Sequence, residues 1–180
     1  MAERYIGVIT NTARTLLLHA IQHWPNILTE EFWPFAIRHA CNFHNASFNS
    51  VTRQIPHAHF TGEPPPWRIQ DFRIFGCPVF ILEKRLQDGD SLPKGRARCW
   101  TGVYVGHSLY HAGTVPLIYN PVTTHILPQY HVTFDDCFST VRGSTATLSD
   151  DVYQKLYKST EWLYRPPFGL SNDMHLYDSY

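Results

Sequence analysis

The sequence predicts an α+β fold, with an N-terminal helical hairpin, then a small β-barrel, then a mostly irregular tail. Three observations carry this. Apolar residues recur at steps of three and four as far as Phe43. Glycine and proline then cluster at Gly62-Glu63-Pro64-Pro65-Pro66. Beyond them, short β-branched and aromatic runs alternate with turn residues. Of the 180 residues 43 % are hydrophobic and 17 % charged, enough for a packed core and unlike a disordered chain.

The first helix is marked by Ile6, Ile9, Ala13, Leu16, Leu17, Ala20 and Trp24, which share one face at the helical period. Arg4, Asn11, Arg14, His19 and His23 occupy the other face, and Pro25 stops the run. A second helix has Thr29 as its expected N-cap, Glu30 and Glu31 in the first turn, and a stripe of Trp33, Ala36, Ile37, Ala40 and Phe43. Pro34 leaves two options: a start later than Thr29, or a kink in the first turns. Two helices with large apolar faces need something else to pack against.

From 45 to 68 the periodicity breaks. His57-x-His59 falls here and reads as a solvated loop, with metal binding as the alternative. The proline run predicts a stiff, extended linker over 63–71. Five short strands follow within 72–138. They are Val79-Phe80-Ile81-Leu82, then Cys99 to Gly106, Leu117-Ile118-Tyr119, His125-Ile126-Leu127, and His131-Val132-Thr133-Phe134. Gln87-Asp88-Gly89-Asp90 and Asn120-Pro121 are the turn signals, and the regular spacing suggests a barrel. In the tail, 139–180, one short helix is expected, capped by Ser149, with Asp150 and Asp151 in its first turn and Val152, Leu156 and Leu163 as its stripe.

The formal net charge is zero, but it is a sum of opposites. Residues 1–100 carry 11 basic and 8 acidic side chains; residues 101–180 carry 4 and 7. No apolar run approaches the about 18 residues a membrane span needs, so no membrane partner is expected. The first residues lack the layout of a signal peptide, and an intracellular protein is expected. Cys41, Cys77, Cys99 and Cys137 are widely spaced and form no CxxC, so they read as buried thiols and not as a zinc or disulfide framework.

Six stretches, in order, resemble the integrase region of copia-type LTR retrotransposon polyproteins. Met1-Ala2-Glu3-Arg4 matches the end of the family's Asn-Gly-x-Ala-Glu-Arg stretch, which opens the last catalytic helix of an RNase H-like core. Glu31-Phe32-Trp33 with Ala36 and Ala40 is similar to the following helix. Pro56, Phe60, Thr61, Gly62 and Pro65 resemble the segment after the core. Phe72-Arg73-Ile74-Phe75-Gly76-Cys77 resembles the family's "LRVFGC". Lys94-Gly95-Arg96-Ala97-Arg98 and Gly102 to Ser108 resemble "KARxxxFVGYS", with His107 where tyrosine is usual. Tyr119-Asn120-Pro121 and Val132 to Asp136 resemble the closing "YDP" and "DVxFDE" pieces.

The resemblance implies that 1–62 are the last helices of an incomplete RNase H-like core and that 72–138 form an SH3-like barrel. It also implies a nuclear role in DNA integration. The family's chemistry is phosphoryl transfer with Mg²⁺ held by three carboxylates. Glu3 matches the third, contributed from a helix. Asp71 and Asp88, in a linker and a turn, cannot supply the other two. The expectation is a truncated fragment with no cofactor of its own and no catalysis alone. Met1 then reads as an internal methionine of a polyprotein or as the start of an authentic short protein.

The second candidate site is the basic stretch 68–98, with seven basic and four acidic residues. Lys84, Arg85, Lys94, Arg96 and Arg98 are the expected phosphate contacts. Trp67 and Trp100 are possible stacking platforms, although strand tryptophans commonly belong to the core. By residue type alone the stretch reads first as a solvated barrel rim, and the integrase resemblance is what raises DNA-backbone binding to an equal reading. DNA bound weakly, without sequence preference and with strong salt dependence, is the expected partner. The alternative is an interaction module that associates with itself, with other integrase chains or with host proteins.

Overall fold

The computed structural model describes residues 2–141. The helix expected after Ser149 lies outside the described residues, as does most of the tail.

Helix α1 spans Ala2–His23. Ala13, Leu17, Ala20 and Trp24 are buried at the expected spacing, whereas Ile6, at the helix start, remains 43 % exposed. Trp24 and Leu28 close the turn after Pro25, with Leu28 N–H donating to Trp24 O at 3.0 Å. Thr29 is extended and its side chain caps nothing. Glu30–Phe32 form a single 3₁₀ turn, and α2 runs Trp33–Ala46. Pro34 therefore sits in the first turn of α2, where its missing N–H has no helical acceptor to lose. The later start, not a kink, accommodates the proline.

The 45–68 stretch is less irregular than its composition suggests. Asn49 and Gln54 form an isolated antiparallel bridge. His57 and His59 lie on a short helix, α3, Pro56–Thr61, not in a loop. Pro56 opens α3 and Gly62, at φ 76°, closes it by donating to Ala58 O at 2.9 Å. Six residues are too few to show a helical period, which is why the sequence conceals this element.

Strands β1 (Pro78–Leu82), β2 (Cys99–His107), β3 (Pro116–Asn120), β4 (His125–Pro128) and β5 (Val132–Phe134) lie within a residue or two of their expected positions. All pairings are antiparallel, in the order β4-β3-β2-β1-β5. The last strand returns beside the first, pairing Val79 with Phe134 and Ile81 with Val132. Strands β4 and β5 do not pair with each other, so the sheet is open and the expected closed barrel is not formed. A bulge between Tyr104 and Gly106 bends β2, with Gly106 at φ 127°.

Alternation along the strands splits the apolar side chains between two faces. Val103, Val105, Leu117 and Tyr119 pack with Phe75 against α1 and α2. Val79, Ile81, Tyr104 and Ile118 share the other face with Cys77, Trp100, Val132, Phe134 and Phe138. The helical pair has thus found its partner in the sheet of the same chain. Trp24 Nε1–H donates to Gly76 O at 2.8 Å in the buried seam. The proline run does not hold the two parts apart either, since Pro66 lies directly against Gly113 of the β2–β3 loop. Removing Leu17 from this shared core, as Leu17→Ala, falls in the class that costs about 2–5 kcal/mol.

Among the described residues, no helix is long and apolar enough to cross a membrane. Cys77 is buried and Cys41 partly so, but Cys99 and Cys137 are exposed, which corrects the expectation of four buried thiols.

Candidate nucleic-acid interface

Strand β1 ends at Leu82 and β2 begins at its register partner, Cys99. The residues between them, 83–98, form one excursion closed at its base by Glu83 N–H donating to Arg98 O at 2.9 Å. A single-turn helix, α4, Lys84–Gln87, starts the excursion. It ends where Gly89 takes φ 87°, so the expected turn at 87–90 is the exit of a helix that the sequence did not announce. The return limb carries Lys94, Arg96 and Arg98, with Gly95 at φ 93°.

The structure sorts the seven cations of 68–98 into two sets. Arg68 grips Asp71, with Nη2 at 3.2 Å from Oδ1, and the same guanidinium holds the Asp71 carboxyl below its usual range. Arg73 pairs with Asp136 at 2.8 Å and lies over the Phe134 ring. The first closes a local turn within the linker, and the second ties the start of the sheet region to the residues after β5. Lys84, Arg85, Lys94, Arg96 and Arg98 are all exposed and, among the described residues, none is ion-paired. Five free cations face three acids, Glu83, Asp88 and Asp90, on the same excursion. Such an arrangement suits point contacts with phosphate oxygens and offers no built surface for reading base edges.

The two tryptophans are not free platforms beside it. Trp100 is half-buried and packs on the inner sheet cluster. Trp67 is half-buried near His57 and Phe72, with its Nε1 buried and unpartnered among the described residues. Glu3 lies exposed in the first turn of α1. Among the described residues, no three His, Cys, Asp or Glu side chains are grouped so as to hold a metal ion, at Glu3 or at His57 and His59.

A polar knot that the sequence did not reveal lies where α2 meets β2. His39 of α2 is 5 % exposed and packs edge-on against Phe72 and Tyr104, with Phe75 beside it. Among the described residues its Nδ1 has no partner, and burial first, then nearby His107, lowers its pKa to about 4. His107 Nε2 lies 3.2 Å from Asp71 O, and its Nδ1 3.2 Å from Tyr104 Oη. A carbonyl only accepts, so Nε2 carries the proton and Nδ1 accepts from the phenol. Burial holds the Tyr104 hydroxyl above its ordinary range. Both histidines are neutral at pH 7 and closed to solvent, so the knot ties linker, helix and sheet together and offers no reactive group to a substrate. Its only sequence signal was His107, at a position where the copia-type resemblance would place tyrosine. Comparison with protein-family models, curated proteins and solved structures finds no match.

Proposed function

We propose that this chain is an integrase-derived module of the copia type that binds nucleic-acid backbone weakly and without sequence preference. It carries no strand-transfer activity by itself. The observation that carries the reading is the set of five exposed cations on one excursion, Lys84, Arg85, Lys94, Arg96 and Arg98, none of them ion-paired among the described residues. The strand order β4-β3-β2-β1-β5, with β5 returning beside β1, supports an SH3-like identity for the sheet. Helices α1 and α2, which carry the first two motif matches, support descent from the end of an RNase H-like core. In that reading Glu3 is the third metal-binding carboxylate without its two aspartates, and the Mg²⁺ of the family has no function in this chain. The work of such a module lies with DNA, hence in the nucleus.

The test is a salt titration of duplex DNA binding. About five phosphate contacts give a slope of log K against log salt near −4.5. The variant with Lys94, Arg96 and Arg98 all changed to Gln lowers the slope by about 2.7. Binding that ignores salt, or whose affinity and salt slope are unchanged by the three substitutions, overturns the reading. Cleavage or strand transfer with Mg²⁺ or Mn²⁺ that disappears in Glu3→Gln overturns the non-catalytic part.

A second reading, association with another protein chain, is favoured by Ile6, Val8 and Phe43, each more than 40 % exposed on α1 and α2 beyond the sheet. Sedimentation separates the two: this reading requires a dimer or larger species that binds little DNA.

A further inference from the structure

A cleft of about 380 Å³ opens between the start of α1, the end of α2, the Asn49–Gln54 bridge and α3. It lies at the small end of the range for small-molecule sites, about 300–1,000 Å³. Its chemistry is unlike that of the basic excursion. No Asp, Glu, Lys or Arg side chain lines it. Tyr5 and His44 form an angled aromatic wall, their ring centres 5.5 Å apart and tilted by 60°. Ile9 and Pro56 supply apolar lining, and the amides of Asn45 and Gln54 stand at its border. Among the described residues, the polar heads of Tyr5, His44, Asn45 and Gln54 have no hydrogen-bond partner. By contrast, the Asn49 amide is committed: its Oδ1 accepts from Val51 N–H at 2.9 Å and Thr52 N–H at 3.2 Å, which fixes the rim.

Two histidines, His44 and His59, line the cleft, but without a Lys or Arg in that lining it has no fixed cation to replace a phosphate's hydration. Ring faces favour a flat partner, and free carboxamides match an edge that both donates and accepts. We infer that this cleft binds one unpaired nucleobase, stacked on the Tyr5 ring with the tilted His44 ring beside it and met at its edge by Asn45 and Gln54. The choice of a base over another flat heterocycle rests on the nucleic-acid reading above. The contact itself is separate from the phosphate contacts and independent of salt. It gives the chain a preference for single-stranded or extrahelical nucleotides, since a base within a duplex cannot enter.

The experiment is saturation-transfer NMR on the full chain with adenosine, guanosine, cytidine and thymidine, with ribose alone as control. Transfer to base protons is expected, and none to ribose. Tyr5→Ala weakens binding about tenfold. Gln54→Ala, at an exposed position, changes the order of preference among the four nucleosides while the circular dichroism stays native. Absence of transfer to every nucleoside, equal transfer to ribose, or unchanged binding in a folded Gln54→Ala protein overturns the inference, even if Tyr5→Ala fails to fold. The triple-Gln variant of Lys94, Arg96 and Arg98 keeps its nucleoside affinity; a fall there overturns the assignment to this cleft. Salt-dependent duplex binding without nucleoside binding sinks this inference and leaves the phosphate contact standing. The reverse result sinks the phosphate contact alone.

Discussion

Gly76 sits at a close approach between the sheet region and α1. It has φ 82°, and a methyl group there would overlap the Cβ of Ala20 on α1, with Ala20 Cα at 3.1 Å. Left-handed backbone alone costs an L-residue about 1–2 kcal/mol, and a clash with helix backbone adds to it. Gly76→Ala is therefore expected to lower stability by more than about 2 kcal/mol in urea unfolding. Gly89 has almost the same φ, 87°, but open space around it, so Gly89→Ala loses only about 1 kcal/mol. Equal losses at the two sites would show that packing against Ala20 is not what matters. His39 sets a pH dependence at the same scale. Its ring titrates near 6.5 when unfolded and about 4 when folded. Between those values the unfolded chain binds the extra proton, so stability is complete above pH 6.5 and is lost as pH falls towards 4. His107 is shifted in the same direction by burial and adds to the loss. The expected drop attributable to His39 is about 3 kcal/mol at most. His39→Leu flattens the stability profile between pH 7 and 5; a slope unchanged by that substitution would refute this account.

At the scale of elements, α1 is fastened to the start of β1 by one buried bond, Trp24 Nε1–H to Gly76 O. Trp24→Phe keeps most of the apolar area and leaves that carbonyl without a donor. The expected loss is about 1–3 kcal/mol, read as a lower urea midpoint at constant slope. The β1–β2 excursion behaves in the opposite way. Its five cations are exposed and make no ion pair with described residues, so changing Lys94, Arg96 and Arg98 to Gln should move stability by no more than about 0.5 kcal/mol. The same variant loses much of its DNA affinity. Thermal unfolding and salt titration on one preparation separate the two effects, and a marked drop in melting temperature would mean that the excursion is structural. The five strands were legible because alternation and turn residues both mark them. Helices α3 and α4, six and four residues long, were not, because neither completes enough turns to show a period.

For the molecule as a whole, Phe75, Val103 and Val105 of the sheet region share one core with Leu17, Trp24, Leu28 and Ala36 of the helical region. A single cooperative transition is expected, with near- and far-ultraviolet circular dichroism coincident. Residues 72–141 expressed alone expose the face that carries Val103, Val105 and Tyr119, and should bind a hydrophobic dye or aggregate. Two separated transitions, or a stable sheet fragment with native packing, would show that the parts are independent domains. The proline run at 64–66 promised such independence. Pro66 resting on Gly113 shows why composition misleads here: a stiff segment can lie along a surface as readily as it spans a gap.

The sequence by itself determined what depends on neighbours along the chain. The α1 and α2 faces, the five strands, the α+β class and the clustering of basic residues between β1 and β2 could all be read from period, turn chemistry and charge. Only the tertiary structure decided what depends on residues far apart. Arg73 is withdrawn from the basic set by Asp136, 63 positions away. His39 becomes a neutral core residue because Phe72, Phe75 and Tyr104 surround it. The sheet stays open because β4 and β5, each able to pair, end at opposite edges. Local order follows from steric and hydrogen-bonding preferences that act within a few residues. Ionisation, pairing and closure follow from desolvation and contact, which come into being only when the chain folds back on itself.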